Sequence, residues 1–263
     1  MKKNIVIIGG GIIGLCSAYY LNANGHNVTV VDKSDMNSGT SYINAGYLSP
    51  SHLIPLASPD SLKNGLKWMF DSKSPLYIKP RISISLLKWM YAFAKSSNNY
   101  HVKKSIPLIK DITVLSQRLY DEIKQKPDFN FHYDKKGLLM LCKTQKYLDS
   151  ESKLVNIAIS QGLNAKMITK SEIKKIEPNI EIDAIGGAYF ECDFHTTPNE
   201  FMLDMKRYLL ANGVEIIKNT EITDLTIKNG SIKNLITLEK KIFADEFILC
   251  AGSWSNILSK KLI

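Results

Sequence analysis

Arginine is scarce in this sequence: Arg81, Arg118 and Arg207 stand against 31 lysines. Proteins that read base edges in nucleic acid lean on the planar guanidinium fork, which lysine cannot supply. The net charge of +9 therefore reads as a lysine-rich, solvated surface, and no nucleic-acid partner is expected. Cysteine is sparse too. Cys16, Cys142, Cys192 and Cys250 form no C-x-x-C pair, and neither they nor the five histidines show a metal-ligand spacing. No metal is expected, and the thiols read as buried and reduced, as in a cytoplasmic protein. Long apolar runs are missing, since none reaches the ~18 residues of a membrane-spanning helix. Lys2 and Lys3 ahead of the apolar run from Ile5 to Leu21 imitate a signal peptide. Leu15 is a poor residue before a cleaved Cys16, however, and no A-x-A pattern follows, so no signal peptide is expected. The sequence shows no short internal repeat and no low-complexity tract.

What is there suits a globular chain. With 263 residues, 44% of them hydrophobic, it can form one large domain or two ordinary ones around a substantial core. "KNIVIIGGG" predicts a buried parallel strand ending in glycines, "IIGLCSAYYLNANGH" a helix stopped at Asn24-Gly25, and "NVTVVDK" a second strand. Helical stretches are predicted at about 61–70, 83–95 and 106–124, the first two split by the prolines of "SPLYIKP". "FNFHYDKKGLLMLCKT" reads as a hairpin turning at "DKKG". Further helices are predicted in "DSESKLVNIAISQG", "SEIKKIEP" and "TPNEFMLDMKRYLLANG", the last capped by Thr197 with Pro198 in its first turn. "AIGGAYFEC" reads as a strand. Strands follow one another from residue 214 onward, with a hairpin at Asn229-Gly230 and a buried strand at "EFILCAG".

Gly9, Gly11 and Gly14 form G-x-G-x-x-G between the first strand and the first helix. The first glycine permits a tight turn, the second lets a pyrophosphate approach the backbone, and the third lets helix and strand pack closely. The helix N-terminus then offers free N–H groups to the phosphates. Asp32, at the end of the next strand, is placed to accept hydrogen bonds from a ribose. FAD and NAD both use this fingerprint. The next loop, "GTSYINAGYLSP", carries no charge in a chain that is 22% charged. Thr40, Ser41 and Asn44 can hydrogen-bond phosphate or ring edges, and Gly46 leaves room for a planar ring. On physical grounds alone an ordinary polar loop is an equal reading. Trp254, at a strand end, reads as a core residue, and His52 and His195 as structural histidines.

"GGGIIGLCSAYYLNANGHNVTVVDK" followed by "GTSYINAGYLSP" closely resembles the FAD-dependent D-amino-acid dehydrogenases, within the superfamily of D-amino-acid, glycine and sarcosine oxidases. "WMFDSKSPLYIKPRISISLLKWMYAF", "AGSWSNILSK" and the crossover "CDFHTTPNEF" also match. The resemblance implies an α/β fold in which a Rossmann-like FAD-binding domain (1–60 and 192–263) is interleaved with an α+β substrate domain. A helical insertion would occupy 61–125 and a partial substrate domain 126–191. FAD would be held by Gly9, Gly11, Ile12, Ile13, Gly14, Asp32, Lys33, Thr40, Ser41, Asn44, Ala45 and Gly46. Ile222 would reach the adenine through its backbone, and Ala251, Gly252 and Trp254 would border the flavin. His52 and His195 are the candidates for facing the substrate.

The activity implied is oxidation of D-amino acids to 2-oxo acids and ammonia, with electrons passed to a quinone-type acceptor. No side-chain base is required if the amine binds neutral. A glycine- or sarcosine-type oxidase and a non-catalytic FAD-binding remnant are the alternatives. The family's chains continue past the equivalent of Ile263, so the fold is expected to be incomplete at the C-terminus and to lack the arginine that clamps the substrate carboxylate. Finally, residues 61–104 hold nine basic residues against Asp71 alone, a net +8, together with Trp68, Met69, Phe70, Trp89, Met90, Tyr91 and Phe93. Aromatic and basic residues on short helices suit a membrane surface. The expected location is therefore cytoplasmic, with peripheral attachment to the inner face of the cell membrane as the alternative to a solvated insertion.

Overall fold

The computed structural model describes residues 1–68 and 83–260. "SPLYIKP" and its surroundings, with Met69, Phe70, Lys73, Lys79 and Arg81, lie outside the described residues. The chain divides into two compact units: residues 1–46, 121–133 and 196 onward in the first, and 47–120 with 134–195 in the second.

The first unit is built on a parallel sheet of four strands, in the order Glu246–Leu249, Asn4–Ile8, Asn27–Val31, Glu215–Ile217. Asn4–Ile8 pairs in parallel on both sides. With neighbours on both edges and layers on both faces, its interior must be apolar, and Ile5 to Ile8 are all buried while Asn4 at its start is exposed. The side chains alternate. A methyl of Ile7 lies 3.4 Å from where a Cβ on Gly14 would sit, so Ile7 faces the helix Ile12–Ala23. Val6 and Ile8 face the other way and share a core cluster with Val31, Ile222, Leu235 and Ile242.

On the helical side, Pro198–Ala211 packs beside Ile12–Ala23 and buries Phe201, Met202, Met205 and Leu209. Thr197 stands at its N-cap without a side-chain cap bond; its N–H instead donates to the His132 carbonyl at 3.2 Å. The opposite face is covered by an antiparallel sheet of Asp224–Lys228, Ser231–Ile236 and Lys241–Phe243. Its first turn is the expected one: Asn229 and Gly230 both have positive φ, 53° and 70°, as a two-residue hairpin of this hand requires.

In the second unit the strand Gly186–Phe190 lies between Leu138–Cys142 and Ala165–Thr169, antiparallel to both. The expected hairpin at "DKKG" does not form. Gly137 takes φ +76° with its Cα hydrogen against the Tyr189 ring, and Leu138–Cys142 runs along Gly186–Phe190 instead. The helix Gln145–Ser160 covers this sheet through Val155 and Ala158, and Leu53 joins the same cluster. That burial is why residues 47–60, assigned to the cofactor domain from sequence, fall in the second unit. The helix Asn99–Lys124 starts earlier than expected and carries Pro107 inside it. Its start is fixed by Asn98, whose side chain accepts from the His101 N–H at 3.0 Å. Gln117 on this helix donates to the Leu48 and Cys192 carbonyls at 2.9 and 2.8 Å, so helices read as a separate insertion group with the substrate-side strands. Residues 121–133 join the first unit because Phe129 and Phe131 pack on Tyr19 and Phe201. Among the described residues no helix is long and apolar enough to cross a membrane.

Candidate cofactor-binding site

At the carboxyl ends of Asn4–Ile8, Asn27–Val31 and Glu246–Leu249 the first unit opens into a cavity of about 680 Å³. Open α/β sheets bind ligands in this place, where the strand ends leave a crevice. The wall is formed by the glycine turn from Ile8 to Ile13, by much of the stretch from Val31 to Tyr42, by Thr220 to Ile222, and by Leu249 to Leu258 in part.

The glycine turn is built by close approach. A Cβ on Gly14 would overlap the carbonyl oxygen of Gly9, and a Cβ on Gly9, which has φ +110°, would overlap that of Cys250. Gly11 differs: a Cβ there would meet just Ser41 Oγ, at 3.2 Å, and otherwise open space on the cavity side. The Gly9 N–H donates to the Val31 carbonyl and the Cys250 N–H to the Ile8 carbonyl, each at 2.8 Å, which ties the three strand ends together. Asp32 Oδ2 accepts from the Gly10 N–H at 2.7 Å, while Oδ1 accepts from Ser34 N–H and Oγ at 2.8 and 2.7 Å. A carboxylate offers about four acceptor sites, so Asp32 holds the turn and retains capacity for a hydroxyl ligand. At the helix start, Ser41 Oγ accepts from the Ile12 N–H at 3.0 Å.

Twelve of the sixteen residues expected to hold FAD line this cavity; Gly14, Asn44, Ala45 and Gly46 do not. Gly14 acts through packing. Asn44 is spent inside its loop, donating to the Thr40 carbonyl and accepting from the Gly46 N–H at 2.9 and 2.8 Å. Gly46, with φ +68°, is a glycine for a different reason from the one expected: a Cβ there would overlap the Thr196 carbonyl oxygen. Trp254 is no core residue. It is 55% exposed, and the Lys33 ammonium stands 4.4 Å over its ring. Ile222 lies in the core by its side chain, while its N–H and C=O take no hydrogen-bond partner among the described residues. The N–H groups of Ser38 to Ser41 likewise have no acceptor there.

His52 and His195 belong to the second unit and neither lines the cavity. His52 Nδ1 lies 3.1 Å from Ser51 Oγ and 3.9 Å from Asp193, a carboxylate 1% exposed that accepts from the Ser51 N–H and Oγ. His195 stands opposite Tyr47 in an antiparallel pairing. Of the cysteines, all free, Cys142 alone is fully buried. Burial still pushes the Cys16 thiol up to about 11, and burial with the adjacent Asp193 pushes Cys192 up to about 12. Sequence reasoning missed Ser34, Met36 and Lys206. The Asp-x-Ser spacing of Asp32 and Ser34 is a local turn signal; Lys206, on a helix, looks like any surface lysine.

The family model "FAD dependent oxidoreductase", designated DAO, matches residues 4–263. The chain belongs to that family. A D-amino acid dehydrogenase from Helicobacter pylori is 32% identical over 260 residues, 99% of this chain. One from Vibrio atlanticus is 27% identical over 264 residues, 98% of this chain. The chain spans 62% and 63% of the length of these relatives. Among solved structures it is similar to glycine oxidase from Bacillus cereus, with a TM-score of 0.69 at 20% identity over 98% of this chain and 58% of that one. L-amino acid deaminase from Proteus vulgaris gives 0.69 at 15% identity, covering 99% of this chain and 50% of that one. At these identities the structures establish the fold. FAD is the cofactor of the family, and the groups around the cavity fit it: a glycine turn without side chains, consecutive N–H groups without an acceptor among the described residues, a carboxylate with spare acceptor sites, and a backbone N–H and C=O at Ile222 likewise without a partner there.

Proposed function

We propose that this chain forms the FAD-binding part of an oxidoreductase that acts on D-amino acids in their breakdown and delivers the electrons to a quinone-type acceptor. The observation that carries the substrate class is the match to the Helicobacter pylori dehydrogenase along 99% of the chain. When bound, FAD supplies the two-electron acceptor for oxidation at Cα, and hydrolysis of the resulting imine gives a 2-oxo acid and ammonia. The chain's own residues bind and orient. The start of the helix Ile12–Ala23 and the N–H groups of Ser38 to Ser41 would hold the pyrophosphate. Asp32 would accept from the ribose, and the Ile222 backbone would meet the adenine edge. No side chain is assigned as base, because an amine bound neutral needs none.

Neither described arginine is assigned as a carboxylate clamp, and Arg207 is ion-paired with Asp204. The remainder of the relatives has no counterpart in these 263 residues. Refolded with FAD, the chain should quench flavin fluorescence. These 263 residues alone should show no D-alanine-dependent dye reduction until the portion of a relative that they do not span is supplied, fused or in trans. Binding of NADH and not FAD would sink the cofactor assignment, and robust turnover by the chain alone would sink the need for a clamp. Consumption of oxygen in place of quinone reduction would reassign it to the glycine- or sarcosine-type oxidases. FAD binding with no turnover even after supplementation would make it a non-catalytic remnant.

A quinone acceptor gives a reason to sit on the inner face of the membrane. The helix Ile84–Ser96 buries no residue and exposes Ile84, Leu87, Trp89 and Tyr91 beside Lys88 and Lys95. Each lysine near an anionic leaflet contributes ~1 kcal/mol. The chain should pellet with anionic liposomes and stay in solution with neutral ones; no pelleting with either, or equal pelleting with both, would remove the membrane.

A further inference from the structure

Met36 has no evident reason to be where it is. It has φ +60°, a conformation that side chains rarely adopt, and it is 2% exposed. Such a residue persists only where its surroundings over-determine it. Three contacts do so. Ser34 Oγ accepts from the Met36 N–H at 3.1 Å. The Met36 methyl fills the space over Gly10 that a Cβ there would need. The third contact comes from the helix Pro198–Ala211: Lys206 Nζ donates to the Met36 carbonyl and to Asn37 Oδ1, both at 2.9 Å.

Lys206 is itself unusual. It is 6% exposed, and among the described residues no carboxylate lies within ion-pair distance of it. The ring of Tyr42 lies 5.0 Å from its Nζ. Burying an ammonium without a counter-ion is costly, and burial, then Lys218, holds its pKa below the usual lysine range, with Asp35 opposing. Its hydrogen-bond acceptors and its ring contact all lie in one loop, residues 36 to 42. Met36, Ser38, Gly39, Thr40, Ser41 and Tyr42 from that loop line the cavity, whereas Lys206 and Asn37 do not.

We infer that Lys206 is a positioning residue for the cofactor: it pins the strained Met36 turn and so presets the 36–42 loop in the shape that receives FAD. This rests on the FAD reading of the cavity. A loop held in its bound shape does not have to be ordered on binding, which raises affinity without adding a contact. The effect is thus expected in FAD affinity and loop order, and not in the identity of the ligand.

The test compares Lys206→Met, which keeps the stem but loses both hydrogen bonds, with Asn37→Ala, a change at an exposed position that removes one acceptor and the 3.1 Å bond from Asn37 Nδ2 to Asp35, and with the double variant. In FAD-free protein, amides of residues 36–42 should exchange with deuterium roughly tenfold faster in Lys206→Met, with the amides of Asn4–Ile8 unchanged. Flavin quenching, measured well below the melting temperature, should show FAD bound roughly tenfold more weakly in Lys206→Met and less affected in Asn37→Ala. The double variant should lose less than the sum of the two single changes, because both break the Lys206–Asn37 bond. Unchanged loop exchange in a folded Lys206→Met protein would overturn the inference, as would additive losses in the double variant or a lower melting temperature with FAD affinity intact. Should Lys206→Met not fold, Lys206→Ala, which suits a helix position, decides: faster exchange in the loop supports the inference and unchanged exchange overturns it. Failure of the parent protein to bind FAD would instead defeat the reading of the cavity, and the exchange measurement would still judge the role of Lys206.

Discussion

Gly11 and Gly14 belong to one motif but are glycines for different reasons, and substitution separates them. At Gly14 an added methyl would collide with the Gly9 carbonyl, a backbone atom that cannot swing aside. Gly14→Ala should therefore cost ~1–3 kcal/mol in urea unfolding and weaken FAD binding by distorting the turn. At Gly11 φ is −71°, open to any residue, and the nearest obstacle is the Ser41 hydroxyl at 3.2 Å. Gly11→Val should fold with a stability within about 1 kcal/mol of the parent, yet abolish flavin quenching, because its side chain stands where a pyrophosphate approaches. Equal damage to folding from both changes would show that Gly11 is a packing residue. The motif and Asp32 were legible at this scale because strand, turn and helix are local. Lys206 and the close packing that Gly46 permits were not, since both depend on a carbonyl brought in from a distant part of the chain.

At the scale of elements, the Asn229-Gly230 turn shows what local chemistry can settle. Both residues have positive φ, and asparagine tolerates that region where most side chains do not. Asn229→Ala should cost ~1 kcal/mol and Asn229→Gly should be near neutral, as read from denaturation midpoints. Equal losses from the two would mean that the asparagine side chain, not its backbone, holds the turn. The "DKKG" turn shows the opposite. Alternating apolar residues on both sides of a glycine read as a hairpin, but Leu138–Cys142 pairs with Gly186–Phe190. The strand was visible and its partner was not, because pairing registers are decided by which neighbour covers the apolar face. The helix from Asn99 was read short for a similar reason: Pro107 looks like a boundary, although a 26-residue helix absorbs the one lost hydrogen bond.

For the whole molecule, every residue lining the cavity lies in the first unit. A ligand that binds only the folded state stabilises it by about 2.7 kcal/mol at a hundredfold excess over Kd. Saturating FAD should therefore slow amide exchange in Asn4–Ile8 and Asn27–Val31, while Leu138–Cys142, Ala165–Thr169 and Gly186–Phe190 keep the rates of the FAD-free protein. Protection spread evenly over both sets would show that FAD contacts, or folds together with, the second unit.

The sequence by itself determined the βαβ unit, its glycine turn, the acid at the end of the second strand and the Asn-Gly hairpin, and with them the class of cofactor. Each is specified within a few tens of residues, by backbone sterics and by periods that a single strand or helix imposes. Only the tertiary structure decided that residues 47–60 leave the first unit through Leu53, that Phe129 and Phe131 draw 121–133 into it, that Trp254 faces the cavity, and that a buried lysine holds the loop beside it. Those outcomes depend on which apolar faces meet and which carbonyls come within reach of a donor, and such meetings are long-range events that no local pattern encodes.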